Sequence, residues 1–209
     1  MTDFILVRHG ETTWHDENRY AGRTDVPLTP RGAQQAAALG AWAARQRSRI
    51  DAVASSPLSR ARLTAAPAAE ALGLVPRIDE RLLEVDFGRG EGLTRDEMRE
   101  RFPEELAAFL RDPVAHHLPG GEDPRAAVAR AGAALTDLAE EFPDGLVLVV
   151  AHSTLVRLLL CHQLGIPLAD YRRVFPVLHN GALTELRLRD GQMSLLRLNA
   201  PTTHTHVSA

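Results

Sequence analysis

The sequence has little cysteine, no long apolar run and no excess of positive charge, and each absence excludes a class of protein. Cys161 is the single cysteine among 209 residues, which excludes an internal disulfide framework. Its apolar surroundings, LLLCHQL, indicate a buried structural thiol rather than a reactive one. No apolar run approaches the roughly 18 residues of a membrane-spanning helix, and the N-terminus lacks the basic-then-apolar layout of a signal peptide. These features predict a cytoplasmic protein that does not bind a membrane.

The charge balance argues against nucleic acid as a partner. Lys and Arg together number 24 and Asp and Glu 27, a formal net charge of −3. Without a global basic field, any anion binding must come from a local cluster of cations. The length and the 44 % hydrophobic content suit one well-cored domain. We expect this single domain to span residues 1–200 and the polar tail PTTHTHVSA, at 201–209, to be disordered.

Alternating strand and helix signals predict an α/β fold. Short apolar runs predict strands at 4–7, 51–55, 146–151, 183–188 and 193–198. Helical stretches separate the first three, which is typical of a three-layer α/β/α sandwich with a mostly parallel central sheet. The sequence RDGQ between the last two strands is an Asp-Gly hairpin signal and predicts one antiparallel edge strand. The Gly- and Pro-rich segment 86–125, with two short helical stretches, is predicted to be an insert that covers a substrate site.

Four helix starts follow from capping signals. Three helices are predicted to begin with a capping side chain and a proline at the first helical position, and to end near residues 47, 72 and 142. Their capping residues are Thr29, Ser56 and Asp123. A fourth helix is predicted to begin directly after His152, with Ser153 as its cap.

Three of the strand-to-helix junctions carry cations or imidazoles. Arg8 and His9 end the first strand, Arg60 lies in the first turn of the second helix, and His152 ends the LVLVVA strand. Each has an ordinary explanation: a strand that stops at polar residues, a solvated surface arginine, a core histidine. Because the carboxyl ends of neighbouring parallel strands converge, all four side chains are predicted to face one crevice with the amide groups of a helix N-terminus. That combination suits a phosphate dianion.

Two histidines among cations indicate catalysis as well as binding. A neutral imidazole can attack phosphorus, and nearby cations favour the neutral form by lowering its pKa. The second histidine could donate to the phosphoryl oxygens. A proton donor for the leaving oxygen is also needed. The spacing does not choose among five carboxylates: Glu84, Asp86, Glu91, Glu11 and Glu122.

Six motifs in order resemble the histidine phosphatase superfamily, also called phosphoglycerate mutase-like. They are LVRHGET, DVPLTPRGAQQA, SSPLSRARLTA, LLEVDFG followed by EGLT, PGGED and VAHSTLVRLLL, covering residues 4 to about 186. The resemblance implies that His9 is the nucleophile that becomes phosphohistidine and that Glu84 is the proton donor and then the base. It implies a phosphate pocket formed by Arg8, Arg60 and His152.

The resemblance also implies further substrate contacts, and it carries three departures. The loop from Thr12 to Gly22 would contact substrate, with Thr12, His15 and Gly22 as the predicted binding residues. Ser153, directly after His152, completes the predicted binding set. His15 stands where the family commonly has asparagine, and Ser153 where it often has glycine. Gly90 replaces an aromatic residue that frequently precedes EG. The resemblance implies that positions 15 and 90 flank the substrate pocket.

The predicted activity is hydrolysis of small phosphomonoesters, without metal or cofactor, through phosphohistidine on His9. A phosphoglycerate mutase-type transfer is the alternative; the compact chain, with no long insertion after Glu84, favours the hydrolase. A phosphate-binding module without turnover is disfavoured because His9, His152 and Glu84 are all present. A metallohydrolase is disfavoured because HExxH is absent and the histidines near 116 and 205 belong to a loop and the tail. The partner is a small phosphorylated metabolite of open identity, and the oligomeric state stays open, with a homodimer among the alternatives.

Overall fold

The computed structural model describes residues 1–46 and 49–203, so Arg47 and residues 204–209 of the predicted tail lie outside the described residues. The described strands form one sheet in the order β3-β2-β4-β1-β5-β6. They are β1 (Thr2–Arg8), β2 (Ala52–Ser55), β3 (Arg77–Ile78), β4 (Leu146–Ala151), β5 (Leu183–Arg189) and β6 (Gln192–Ala200). The helices are α1 (Pro30–Arg45), α2 (Ser59–Leu72), α3 (Arg95–Arg101), α4 (Pro103–Arg111), α5 (Pro124–Glu141), α6 (Ser153–Gln163) and α7 (Tyr171–Val174).

The sheet is mostly parallel, as predicted. β1 pairs in parallel with β4, and β2 pairs in parallel with β3 and β4. β5 pairs antiparallel with β1 and β6 pairs antiparallel with β5, so β6 runs in the same direction as β1. The predicted antiparallel strand is therefore β5, which lies one position inside the edge. β3 was not predicted because its two residues are exposed and form no apolar run.

Helices cover both faces of the sheet, which confirms the three-layer architecture. Side chains alternate along a strand, so Ile5 and Val7 of β1 pack with α1 and α2, whereas Phe4 and Leu6 pack with α5 and α6. β4 is buried along its whole length, as expected for a central parallel strand. Cys161 of α6 is also fully buried. No helix in the described part of the chain is long and apolar enough to cross a membrane.

The predicted start and the predicted capping residue are both confirmed for two helices. The Thr29 side chain accepts a hydrogen bond from the Gly32 amide at the start of α1. The Asp123 side chain accepts one from the Arg125 amide at the start of α5. In both helices proline follows the capping residue, where its missing N–H costs nothing.

The predicted start of α2 and the predicted cap of α6 are wrong, although α6 does begin directly after His152 as predicted, and both errors lie beside the cavity described below. α2 begins at Ser59, preceded by Leu58 without a side-chain cap, while Ser56 Oγ lies 2.8 Å from Nε2 of His152. α6 begins at Ser153 itself, so Ser153 is not its cap. The amides in the first turn of α6 instead donate to a carboxylate from another segment, that of Glu84.

Candidate active site

A cavity of about 610 Å³ opens where the parallel strands end. Arg8 of β1 is in register with Ala151 of β4, and Ser55 of β2 with Val150. The residues after these positions, His9, Ser56 and His152, therefore reach the same edge of the sheet. The cavity wall includes Arg8, His9, Arg60 and Glu84, and the segment 86–125, which was predicted to cover a substrate, contributes Phe87, Thr94, Arg95 and Asp96 to it.

The His9 ring is held in one tautomer. Its Nδ1 lies 2.7 Å from the carbonyl oxygen of Gly10. Because a carbonyl only accepts, Nδ1 carries the proton and Nε2 keeps its lone pair. Burial, then the charges of Arg60 and Arg8, hold the pKa of His9 well below 6.5. A neutral imidazole with a free Nε2 is the form that can act as a nucleophile.

His152 lies beside His9, behind the cavity wall. Its side chain is fully buried, and the centroids of the two rings are 5.2 Å apart. Its Nε2 lies 2.8 Å from Ser56 Oγ, and its Nδ1 is buried without a hydrogen-bond partner among the described residues. Burial and then the charge of Arg60 lower the pKa of His152 well below 6.5. The sequence prediction that both histidines meet at one strand edge is consistent with this geometry.

Arg60 is held by backbone carbonyls and by no carboxylate among the described residues. It is 1 % exposed, and its two terminal nitrogens donate to the carbonyl oxygens of Thr24 and Gly22, at 2.7 and 2.6 Å. The backbone at position 22 requires glycine. Its φ is +51°, and a Cβ there would lie 1.8 Å from Oε1 of Glu91. Gly22 thus lines the cavity and also positions Arg60.

Arg8 is held in the same manner, with a histidine as one acceptor. Its terminal nitrogens donate to the Leu178 carbonyl and to Nε2 of His15, each at 2.6 Å. Asn180 donates to the His9 carbonyl at 2.8 Å and lies 3.2 Å from the same His15 nitrogen. Thr12 Oγ1 lies 2.8 Å from the other ring nitrogen. His15 and Thr12 thus lie in the predicted site, whereas Asn180 was missed because no sequence motif marks it.

The buried nitrogens without hydrogen-bond partners are concentrated at this site. In the described part of the chain they are Nε of Arg8, Arg60 and Arg157 and Nδ1 of His152. Three of these residues line the cavity, and the fourth lies against His9. A buried donor without a hydrogen-bond partner costs folding free energy. The concentration of such nitrogens here therefore indicates a site that binds an anion.

Glu84 is the buried carboxylate of the cavity wall. It is 6 % exposed, and its oxygens accept hydrogen bonds from the amides of Thr154 and Leu155 at 3.0 and 2.9 Å. The sequence predicted that amides of a helix N-terminus face the ligand. The amides of Thr154 and Leu155 instead donate to Glu84, so the prediction is wrong for these two groups. Ser153, before them, does line the cavity.

The other four candidate acids do not line the cavity and bind elsewhere. Glu91 accepts from the amides of Thr24 and Phe87, and Glu122 binds the Arg130 guanidinium. Asp86 accepts from the Gly88 amide and Glu11 from the Thr29 hydroxyl. Gly90 is also outside the cavity wall, and a Cβ there would lie 2.4 Å from a methyl of Leu118, so the Leu118 side chain would have to shift for any larger residue.

Residues that could hold a metal are not grouped in the described ranges. No set of three or more His, Cys, Asp or Glu side chains within 1–46 and 49–203 is arranged around a common point.

Comparisons with known proteins agree with this geometry. The chain is 33 % identical to phosphoserine phosphatase 1 of Hydrogenobacter thermophilus over 171 residues, which is 82 % of this chain and 80 % of that protein. It is 34 % identical to a probable phosphoglycerate mutase of Citrobacter koseri over 177 residues, 83 % of this chain and 80 % of that protein. A mycobacterial glucosyl-3-phosphoglycerate phosphatase, solved with VO3, superposes with a TM-score of 0.84 at 28 % identity, over 95 % of this chain and 99 % of that one.

The family assignment covers almost the whole chain. Residues 4–201 match the model of the histidine phosphatase superfamily, branch 1. Two of these three similar proteins are named as phosphatases, and the third as a probable phosphoglycerate mutase. The sequence motifs, the fold and these matches lead to one conclusion. The chain belongs to branch 1 of the histidine phosphatase superfamily and is a phosphomonoester hydrolase.

Proposed function

We propose that this chain hydrolyses small phosphorylated metabolites without a metal, through a phosphohistidine on His9. The observation that carries the proposal is the His9 ring, whose Nδ1 is bound to the Gly10 carbonyl and whose Nε2 is left as a free base. Its pKa is lowered by burial and by two arginines, so the nucleophilic form is present at neutral pH. A metal is not needed to activate this nucleophile.

In the first step Nε2 of His9 attacks phosphorus and the P–O bond to the leaving group breaks. Arg8 and Arg60 bind the equatorial phosphoryl oxygens, whose charge they balance in the transition state. The unpartnered nitrogens of both arginines support this role, as does Nδ1 of His152. The Glu84 carboxyl, when protonated, transfers its proton to the leaving oxygen, and this gives a neutral alcohol and a Glu84 carboxylate.

In the second step water attacks the phosphohistidine and the P–N bond breaks. The Glu84 carboxylate takes the proton from the water, which returns Glu84 to its acid form and His9 to its neutral base. The products are inorganic phosphate and the unchanged enzyme, so the proton balance closes. The position of Glu84 in the cavity wall that also holds His9 supports its assignment to both steps.

The proposal is tested by trapping the intermediate. The enzyme is mixed with p-nitrophenyl phosphate, quenched in alkali, where phosphohistidine survives, and digested for mass spectrometry. We expect phosphate on His9, and we expect turnover to persist in EDTA. Phosphate on another residue, or a burst of product without any phosphoenzyme, would contradict the mechanism.

The same assay distinguishes hydrolysis from mutase-type transfer. With glycerate present as an acceptor, a hydrolase releases one inorganic phosphate for each p-nitrophenol. A mutase would instead release p-nitrophenol in excess of inorganic phosphate and form phosphoglycerate. We expect equal amounts of the two products.

A further inference from the structure

Two arginines of the cavity wall are not used by the proposed chemistry. Arg157 lies on α6 and Arg172 on α7, and both line the cavity that holds His9. Burial, and after it the nearby charge of Arg157, lower the pKa of Arg8 to about 10. The sequence offered one signal for Arg157, a lone cation within the apolar helix TLVRLLL.

Arg157 lies one turn into α6. It is four positions after Ser153, a rise of about 6 Å along the helix. Its terminal nitrogen donates to the Pro176 carbonyl at 3.1 Å, while its Nε is buried without a partner. The guanidinium is thus held in place at the wall of the cavity that contains His9, and its Nε has no hydrogen-bond partner among the described residues.

Arg172 is held from one side by aromatic rings. The centre of its guanidinium lies 4.5 Å from the centroid of the Phe109 ring and 5.1 Å from that of Tyr171. Cation–π contacts of this kind engage the flat face of the group and leave the N–H edge free. No hydrogen bond or ion pair joins Arg172 to any residue within the described ranges.

The carboxylates of the cavity wall have other partners. Glu17 pairs with Arg19, Asp96 pairs with Arg99, and Glu84 accepts from backbone amides. Within residues 1–46 and 49–203, none forms an ion pair with Arg157 or Arg172. Arg8 and Arg60 already provide two guanidinium groups to bind a phosphoryl group. The charges of Arg157 and Arg172, unpaired among the described residues, therefore indicate a second anionic group on the ligand.

We propose that Arg157 and Arg172 bind a carboxylate of the substrate, which makes small phosphorylated carboxylic acids the preferred substrate class. The planar fork of a guanidinium matches the two oxygens of a carboxylate, and both arginines line the cavity without a carboxylate partner among the described residues. This inference rests on the proposed function, because it assigns the part of the substrate that lies beyond the phosphoryl group.

The test uses pairs of substrates that differ in the carboxylate. O-phosphoserine is compared with O-phosphoethanolamine, and 3-phosphoglycerate with glycerol 3-phosphate. We expect kcat/KM to be about 10- to 100-fold higher for each acid, the range of one or two charge-assisted hydrogen bonds. Arg157→Met and Arg172→Met should each reduce this preference by about tenfold or more, because kcat/KM falls further for the acid than for its partner without a carboxylate.

Two further variants separate the carboxylate role from a structural one. Arg157→Lys keeps the charge and should keep part of the preference. Arg173→Met is the matched control, because Arg173 neighbours Arg172 on α7 but pairs with Asp170 and does not line the cavity. The preference should be unchanged in Arg173→Met.

The inference is overturned if the wild-type enzyme treats the members of each pair alike, or if the methionine variants lower both members equally. A stronger preference for fructose 1,6-bisphosphate over fructose 6-phosphate would assign the two arginines to a second phosphate and also overturn it. Failure of the proposed function gives a different result, namely no phosphate on His9 with p-nitrophenyl phosphate. Phosphorylation of His9 without any acid preference would refute this inference alone.

Discussion

The two ends of the parallel strands differ in how their charged side chains are paired. At their amino ends, charges are matched: Arg187 of β5 donates to both carboxylate oxygens of Asp3 in β1, each at 2.8 Å. Asp51, before β2, accepts from the Leu146 amide at the start of β4. At their carboxyl ends, Arg8 and Arg60 are bound by carbonyls and an imidazole, and each retains a buried Nε without a partner.

The difference shows which end serves stability and which serves function. A buried cation without a counterion is unfavourable, so it persists where the surrounding fold holds it for another purpose. Desolvation lowers the pKa of Arg60, whereas the Asp3 carboxylate raises the pKa of Arg187. Both ends belong to the same strands. The charged groups at the amino ends have protein partners, whereas the arginines at the carboxyl ends require a bound anion as their counterion. Substitutions at the two ends should therefore have separable effects.

The largest effect is expected for the nucleophile. His9→Ala removes the group that takes the phosphoryl group, and kcat should fall by at least about 10³-fold. The fold should remain, because the ring makes a single hydrogen bond, to the neighbouring Gly10 carbonyl. Steady-state hydrolysis of p-nitrophenyl phosphate and a circular dichroism melt provide the measurements. Turnover within tenfold of wild type would refute the phosphohistidine mechanism.

Glu84→Gln should have an effect that depends on the leaving group. An alkoxide leaves poorly and needs a proton, whereas p-nitrophenolate is stable near neutral pH. Positioned proton transfer contributes ~10²–10⁴-fold, so phosphorylation of His9 by an alkyl ester should slow by about that factor and by much less for the aryl ester. With the aryl ester, phosphohistidine should accumulate because water attack also lacks its base. Single-turnover quench experiments measure both rates. Equal losses on both esters would point to binding or structural damage.

A matched pair of arginine-to-lysine variants compares the two ends directly. Arg60→Lys keeps the charge and loses the planar fork, so kcat/KM should fall by about 10²-fold. Arg187→Lys should leave kcat/KM within about twofold and lower the unfolding free energy by about 1.5–3 kcal/mol, since a charge-assisted pair with Asp3 is weakened. Assays with p-nitrophenyl phosphate measure kcat/KM, and urea titrations measure the free energy of unfolding. Near-wild-type activity of Arg60→Lys would place this guanidinium outside the chemistry.

The smallest effect is a pH dependence of stability. The pKa values of His9 and His152 are lowered in the folded state, so above pH 6.5 both are neutral in the folded and unfolded chains. As pH falls below 6.5, the unfolded chain takes up protons that the folded chain does not, and stability is lost. Between about pH 7.5 and about pH 5.5, His152→Gln should lose about 1 kcal/mol less unfolding free energy than wild type.

The control for this measurement is the exposed His162 on α6. His162→Gln should show the wild-type dependence, because water solvates its ring in both states. Urea unfolding at the two pH values supplies the free energies. If His152→Gln and His162→Gln had the same pH dependence, the buried imidazole would not be the source of the loss.

Much of the fold and part of the site could be predicted from local patterns. An apolar run that ends in Arg8 and His9, and another that ends at His152, determined two strand ends, and the parallel pairing implied that they meet. Arg60 could be predicted for the same reason, since it opens a helix after a strand. These residues share a simple property: their positions follow from short stretches of sequence and from one rule about sheet edges.

The tertiary structure decided which polar groups became partners. Asn180 reaches His9 and His15 across 171 and 165 residues, and no local pattern marks such a contact. The Glu84 carboxylate was chosen over four others because the chain brings it to the first turn of α6, 70 residues away, where its oxygens accept two amides. Arg157 and Arg172 meet at one cavity because α6 and α7 pack together. Periodicity and capping act over a few residues and can be read from sequence; hydrogen bonds between distant segments depend on packing and cannot.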